Sequence, residues 1–240
     1  GEIDGQKLGS WGDVAAWSLQ GKKIVSAGEG GVLATRHRDL YERALFFSHF
    51  NKRCHQELSE DNSLRPYALT GGGMNLRPSP LAIALAYQQL QHLDTWIAQK
   101  HRYAQRLIEV INDIPFLKPP HYPDHHQPAW YALTMQWIPE EAPCTRSEFV
   151  DYLIHTRGLG SVDIPMSTCP NHVLPLFAQP QLIRPEFYEQ PLTHQPCPRA
   201  QQFFERAIKV FIPVRDEDFA MFQRYIDGFL EATQHFTARG

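Results

Sequence analysis

An α/β fold in two lobes is predicted for this sequence by three observations. Short apolar runs set between turn residues, at 14–19 and 32–35, read as strands. Apolar stripes at helical spacing recur at 38–49, after Pro78 and near the end of the chain. A run rich in proline and histidine, from Pro115 to Pro128, interrupts regular structure near the middle.

Taken in order, residues 5–35 alternate turn residues with short apolar runs, and 14–19, Ile24-Val25 and 32–35 are expected strands. Residues 38–49 turn helical, with Leu40, Ala44 and Leu45 on one face and Asp39 in a capping position. Residues 51–73 lose periodicity and end in Thr70-Gly71-Gly72-Gly73, so a long loop of the functional or mobile kind is expected. One long helix is expected after Pro78-Ser79-Pro80, because proline is tolerated in a first turn. Its stripe runs Ile83, Tyr87, Leu90, Leu93, Ile97, Ala104, Ile108, Ile111. At about 1.5 Å per residue such a helix would cross a domain.

Pro115, Pro119 and Pro120 then stop it, which divides the chain into residues 1–112 and 113–240. In the second lobe 130–138 reads as a strand, 146–156 as a helix and Gly158-Leu159-Gly160 as a turn, with irregular chain at 165–198. A helix at 200–207, a strand Val210-Phe211-Ile212 and a helix at 216–233 complete it. That last helix puts Phe219, Phe222, Ile226 and Phe229 on one face, and Asp216 and Glu217 at its positive end.

The composition narrows the function. With 240 residues, 42% hydrophobic and 20% charged, the chain is globular and large enough for one big core or two modest ones. A net charge of -3 offers no basic surface for nucleic acid, and no charge run marks a membrane patch. No apolar stretch reaches the roughly 18 residues of a spanning helix, and the start lacks the pattern of a signal peptide. Cys54, Cys144, Cys169 and Cys197 lack paired zinc spacing and disulfide density, so free thiols of a cytoplasmic protein are expected. His121, His125 and His126 lie in a proline-rich run without further ligands at a defined spacing, and no metal site is expected.

The stretch 12–31, Gly-Asp-Val-Ala-Ala-Trp-Ser-Leu-Gln-Gly-Lys-Lys-Ile-Val-Ser-Ala-Gly-Glu-Gly-Gly, resembles the active-site segment of the sugar aminotransferase (DegT/DnrJ/StrS) family. There a lysine follows a serine by five residues and Gly-Glu-Gly-Gly begins five later; Ser18, Lys23 and Gly28 keep both spacings. The spacing selects Lys23 over Lys22, and Leu19 stands where phenylalanine is usual. A second similarity covers 74–82, with Asn75-Leu76-Arg77, and then Gln89-Leu90-Gln91-His92-Leu93-Asp94. Pro78-Ser79-Pro80-Leu81-Ala82 departs from the acidic residue and glutamine of many members and is closer to a branch with varied substrates. The end of the chain is similar to the family's final small-domain segment.

The resemblance implies the C-terminal part of a fold type I aminotransferase, the tail of a large domain with its long linking helix (1–112) and a small α/β domain (113–240). It implies pyridoxal 5'-phosphate as cofactor, Lys23 as the catalytic lysine that binds it, and Ser18, Asn75 and Arg77 as cofactor-binding residues. Asn75 and Arg77 match an element that reaches the phosphate held by a neighbouring subunit, so a homodimer is implied. The glycine and serine or threonine phosphate loop, the stacked aromatic and the ring-nitrogen aspartate of complete members are absent, so a fragment, a truncated product or one half of a split enzyme, completed by an N-terminal polypeptide, is expected. A non-catalytic remnant or interaction protein is the alternative.

The chemistry requires these residue types. An amine attacks an aldehyde only when unprotonated, so a catalytic lysine needs desolvation or neighbouring positive charge. Freed again, it can move a proton as general base and then acid. A serine hydroxyl and a planar guanidinium both suit a phosphate. Gly28, Gly30 and Gly31 read as turn residues and Glu29 as structural. The implied partners are an amino donor, with glutamate expected, and a keto-sugar or cyclitol acceptor.

Overall fold

The computed structural model describes residues 1–166, 168–187, 196–213 and 219–238. The reading of Asp216 and Glu217 as charges at a helix start, and part of the irregular stretch 165–198, lie outside them. Nine strands are described: β1 (Glu2–Ile3), β2 (Gln6–Lys7), β3 (Val14–Ser18), β4 (Gly31–Thr35), β5 (Leu117–Lys118), β6 (His126–Gln127), β7 (Leu133–Trp137), β8 (Val162–Asp163) and β9 (Ala207–Val210). The helices are α1 (Arg38–Ser48), α2 (Lys52–Glu57), α3 (Pro80–Leu90), α4 (Leu93–Asn112), α5 (Arg146–Asp151), α6 (Pro175–Ala178), α7 (Pro198–Arg206) and α8 (Phe219–Thr237). No described helix is long and apolar enough to cross a membrane.

The chain forms two compact units, Gly1–Ile97 with Pro123–Ala129, and Ala98–Tyr122 with Trp130–Gly240. In the first, β2-β1-β6 form a small antiparallel sheet, and β3 pairs β4 as a two-stranded ribbon from Val14↔Thr35 to Ser18↔Gly31. The Thr35 hydroxyl donates to the Asp13 carbonyl at 2.6 Å and so closes the open end of the ribbon. Val14, Trp17, Val32 and Leu33 on the ribbon remain exposed, and so do Leu81, Leu85, Tyr87 and Leu90 on α3. Two strands alone cannot bury both faces of the pleat, which leaves this apolar surface uncovered.

Helices α1 and α2 meet over Leu45, Cys54, Leu58 and Ala68. The carboxylate of Glu42 is buried among them and accepts from the Ser59 N–H at 2.8 Å, the Ser59 hydroxyl at 2.5 Å, Arg38 Nε at 2.7 Å and the Asn62 amide. Glu57 pairs with Arg53 through both carboxylate oxygens, at 2.6 and 2.9 Å, and accepts the Tyr41 hydroxyl. Charge-assisted bonds of this kind offset the cost of burying the Glu42 carboxylate and half-burying that of Glu57.

The second unit is an antiparallel sheet in the order β5-β7-β9-β8. Leu133, Met135 and Trp137 alternate into the core along β7, as the period of a half-buried strand requires. Leu107 and Ile111 of α4, Phe149 and Leu153 after the α5 start, and Phe222, Ile226 and Phe229 of α8 complete the core. Thr145 and Glu148 form a reciprocal capping box that fixes the start of α5, and a π-helical turn, Tyr152–Thr156, continues it. Lys100 is buried and donates from Nζ to the Ile212 carbonyl at 2.6 Å; burial pushes its pKa down to about 8.

Several expectations need correction. Ile24-Val25 is loop, not strand, because its apolar side chains turn into a small cluster instead of pairing along a sheet. The expected single helix is two, α3 and α4, separated where Gln91 and His92 donate to Gln88 and Gln89 in tightened turns. Its stripe also differs: Ile83, Tyr87 and Leu90 are exposed, and Ala86 is the buried residue of α3. His37, not Asp39, precedes the first turn of α1, and Asp39 lies within that turn. The expected loop 51–73 contains α2 and a 3₁₀ turn, Arg65–Tyr67; α2 escaped the sequence because Cys54 is its one buried apolar side chain. Phe219 of α8 is exposed, whereas its companions Phe222, Ile226 and Phe229 are core. The last strand lies at Ala207–Val210, slightly earlier than expected.

Candidate active site

The site is built on the connection between β3 and β4. Ser18 ends β3 opposite Gly31, and its hydroxyl oxygen accepts the Gln20 N–H at 3.2 Å. A hydroxyl that accepts in this way keeps its hydrogen for a further acceptor. Ser18 is exposed.

Gln20 then organises the two lysines. Its side-chain oxygen accepts the Lys22 N–H at 2.9 Å, and its carbonyl accepts the Lys23 N–H at 2.8 Å. Lys22 is exposed and Lys23 half-buried, so the lysine chosen by spacing is the one drawn toward the protein. Beyond it, Ala27 donates to Leu19 and Leu19 donates to Gly30, at 2.8 and 2.9 Å, which stitch the two ends of the loop together. Gln20 and Gly28 form a parallel bridge across it. Gly28 and Gly30 have φ of +80° and +145°, backbone that a side chain would strain, so the glycines fit the turn reading.

Below the loop, Leu19, Val25 and Ala27 pack on Ala86 of α3, with Ile24, Ala82 and Leu93 partly buried around them. Gln89, on the same helix face, accepts the Ser26 N–H at 2.9 Å and donates to the Ser26 carbonyl at 3.0 Å. The sequence places Gln89 in the stretch 89–94 similar to the family but gives it no part in the site. The available signal was a polar residue on the face shared by Ala82, Ala86 and Leu93.

Asn75 and Arg77 stand on a different segment. Gly72 N–H donates to the Phe46 carbonyl and Leu76 N–H to the Ser48 carbonyl, both at 2.8 Å, hanging residues 72–77 on the end of α1. Both side chains are exposed; the Asn75 amide oxygen accepts the Arg77 N–H at 3.4 Å. The Arg77 guanidinium lies 5.4 Å from the Phe50 ring centre, a cation–π distance. Burial and the positive charges of Arg53 and Arg77 lower the His49 pKa beside them. The structure therefore brings Ser18 and Lys23 together on one strand–loop unit and carries Asn75 with Arg77 on another. The donor set fits pyridoxal phosphate: an amine for an aldehyde, and a hydroxyl, a carboxamide and a guanidinium for a phosphate.

No group of three or more histidine, cysteine or acidic side chains able to hold a metal occurs among the described residues. Cys54, Cys144 and Cys169 are free thiols, and burial raises the pKa of Cys54 and pushes that of Cys144 up to about 11, which disfavours their thiolates.

Comparison with known proteins gives the same direction. A GDP-perosamine synthase of Escherichia coli O157:H7 is 25% identical over 175 residues, covering 73% of this chain and 43% of that protein. The spore coat polysaccharide biosynthesis protein SpsC of Bacillus subtilis is 24% identical over 233 residues, covering 95% and 54%. The chain thus spans about half the length of the curated relatives it matches. Among solved structures, the E. coli GDP-4-keto-6-deoxy-D-mannose-3-dehydratase with bound hydrated pyridoxal phosphate superposes with a TM-score of 0.71 at 16% identity, over 95% of this chain and 57% of that one, a likeness of fold. Residues 1–214 match the model of the DegT/DnrJ/EryC1/StrS aminotransferase family, and the chain belongs to that family.

Proposed function

We propose that this chain carries the lysine-bearing part of a pyridoxal-phosphate-dependent enzyme that moves an amino group from an amino acid, glutamate being the expected donor, to a keto-sugar, usually nucleotide-linked, or a cyclitol. The observation that carries the reading is Lys23, half-buried five residues after Ser18 in a loop whose main chain is held at both ends. The relatives named for perosamine synthesis and spore coat polysaccharide, and the hydrated pyridoxal phosphate of the solved dehydratase, support the sugar and the cofactor.

When bound, the cofactor supplies an aldehyde for an amine and a ring that accepts the electrons of a breaking bond. Lys23 Nζ anchors it. Once free again, the same Nζ would take a proton from the substrate carbon as base and deliver it as acid to the carbon of the cofactor that had carried the aldehyde. The Ser18 hydroxyl donates to the phosphate. Arg77 presents paired donors and Asn75 its carboxamide to a phosphate held by a second copy, which makes the working form a homodimer.

The alternative reading is a scaffold or interaction protein without chemistry of its own, or one half of a split enzyme. The test is transfer of label from ¹⁵N-glutamate to a nucleotide-linked keto-sugar by the purified chain, alone and with any polypeptide encoded upstream. Labelled amino-sugar under either condition supports the enzyme; none under both favours the scaffold.

A further inference from the structure

We infer that Gln89 is a positioning residue for Lys23, holding the lysine loop through the backbone of Ser26; the inference rests on the cofactor role proposed for Lys23. The geometry is a two-point clamp. Gln89 Oε1 accepts the Ser26 N–H at 2.9 Å and Gln89 Nε2 donates to the Ser26 carbonyl at 3.0 Å. A carboxamide is the side chain that matches one residue's N–H and C=O together, since it carries an acceptor and a donor side by side. Glutamate lacks the donor, lysine the acceptor, and leucine both.

The clamp holds the loop at Ser26, between the buried side chains of Val25 and Ala27. The side chain of Ser26 is engaged within its own turn, its hydroxyl accepting the Gly28 N–H at 3.1 Å, so its main chain needs an outside partner. Val25 and Ala27 on either side of Ser26 are buried against Ala86, one turn before Gln89 on α3. Apolar contacts there set the depth of the loop, and the carboxamide sets its register along the helix. At the near end, the Lys23 N–H is tied to the Gln20 carbonyl at 2.8 Å. Lys23 is thus fixed between a turn on one side and a clamped peptide on the other, and the directions its side chain can reach are limited accordingly.

Loss of both bonds opens the loop more often. The experiment compares the full chain with Gln89→Leu and with the nearly isosteric Gln89→Glu, which keeps the acceptor alone. Two readouts need no cofactor: hydrogen exchange at the Ser26 amide, and competitive acylation of Lys23 against Lys22 across a pH series, mapped by mass spectrometry. In Gln89→Leu the Ser26 amide is expected to exchange about 10- to 30-fold faster. The Lys23-to-Lys22 labelling ratio is expected to shift about 3-fold or more, with Gln89→Glu between the two. Exchange that accelerates while the labelling ratio and its pH profile stay at the wild-type values would overturn the positioning role, as would unchanged exchange at Ser26. Should Gln89→Leu fail to fold, Gln89→Glu decides by the same two criteria. Failure to capture pyridoxal phosphate at Lys23, with the labelling shift intact, would sink the proposed function and leave the clamp standing.

Discussion

The Lys23 N–H donates to the Gln20 carbonyl at 2.8 Å, and this bond separates two adjacent lysines that are chemically alike in the sequence. Lys22, whose own N–H is held by the Gln20 side chain, is left exposed, whereas Lys23 turns half-buried. Of the two side chains that of Lys23 is the less exposed, and it precedes Ile24 and Val25 of the apolar cluster on α3.

Ser18→Ala should weaken capture of pyridoxal phosphate about 10-fold or more, the consequence of losing one hydrogen bond to a charged acceptor. Ser18→Thr, which keeps the hydroxyl, should retain most of the affinity. Titration followed by absorbance checks both; equal affinity in Ser18→Ala would remove the phosphate role.

The uncovered apolar surface of the ribbon and α3 should make the isolated chain self-associate and bind hydrophobic dyes. Leu81→Lys combined with Leu85→Lys changes two exposed positions of α3 and should lower both dye fluorescence and the average mass in light scattering. A monodisperse wild-type monomer without dye affinity would contradict the expectation.

Ser59 foremost, with Arg38 and Asn62, pushes the Glu42 carboxyl down to about 2 from an ordinary 4.5, and Arg53 foremost does the same for Glu57. Both folded-state values are depressed, so the stability these groups contribute is complete above pH 4.5 and is lost as pH falls toward 2. Denaturant titrations should therefore show stability dropping across that window. Glu42→Gln should cost about 2 kcal/mol at neutral pH and flatten the acid limb.

Gly71 has a φ of +57°, and a Cβ there would overlap the His49 carbonyl oxygen and approach the Phe46 carbonyl oxygen to 3.1 Å. Gly71→Ala should cost about 2 kcal/mol or more and lower the melting temperature, since neither backbone oxygen can move independently of α1. The segment carrying Asn75 and Arg77 starts at this point, and its amides should exchange faster in the variant.

The proposed site can be read from the sequence only where it depends on spacing along one strand and turn, as at Ser18, Lys23 and Gly28. Gln89 could be seen but not assigned, because its partner is a main-chain group 63 residues away. Ile24-Val25 departs from the strand expectation for a related reason. Two consecutive apolar residues satisfy a strand pattern and a loop buried on a helix equally well, and only Ala86 and Leu19 decide between them. On α3, the stripe of large apolar residues pointed to the wrong face; the buried contact is made by small Ala86, and the large residues remain exposed. In the second unit, β7 and the core face of α8 follow their periodicities closely, because there a single core covers each element.

Binding of pyridoxal phosphate by Lys23 decides the proposed function. The direct measurement is borohydride reduction of the purified chain after addition of the cofactor, alone and with any upstream polypeptide, followed by peptide mapping by mass spectrometry. A stable adduct is expected on Lys23, retained in Lys22→Ala and absent in Lys23→Ala. An adduct on other lysines only, or none under either condition, would contradict it.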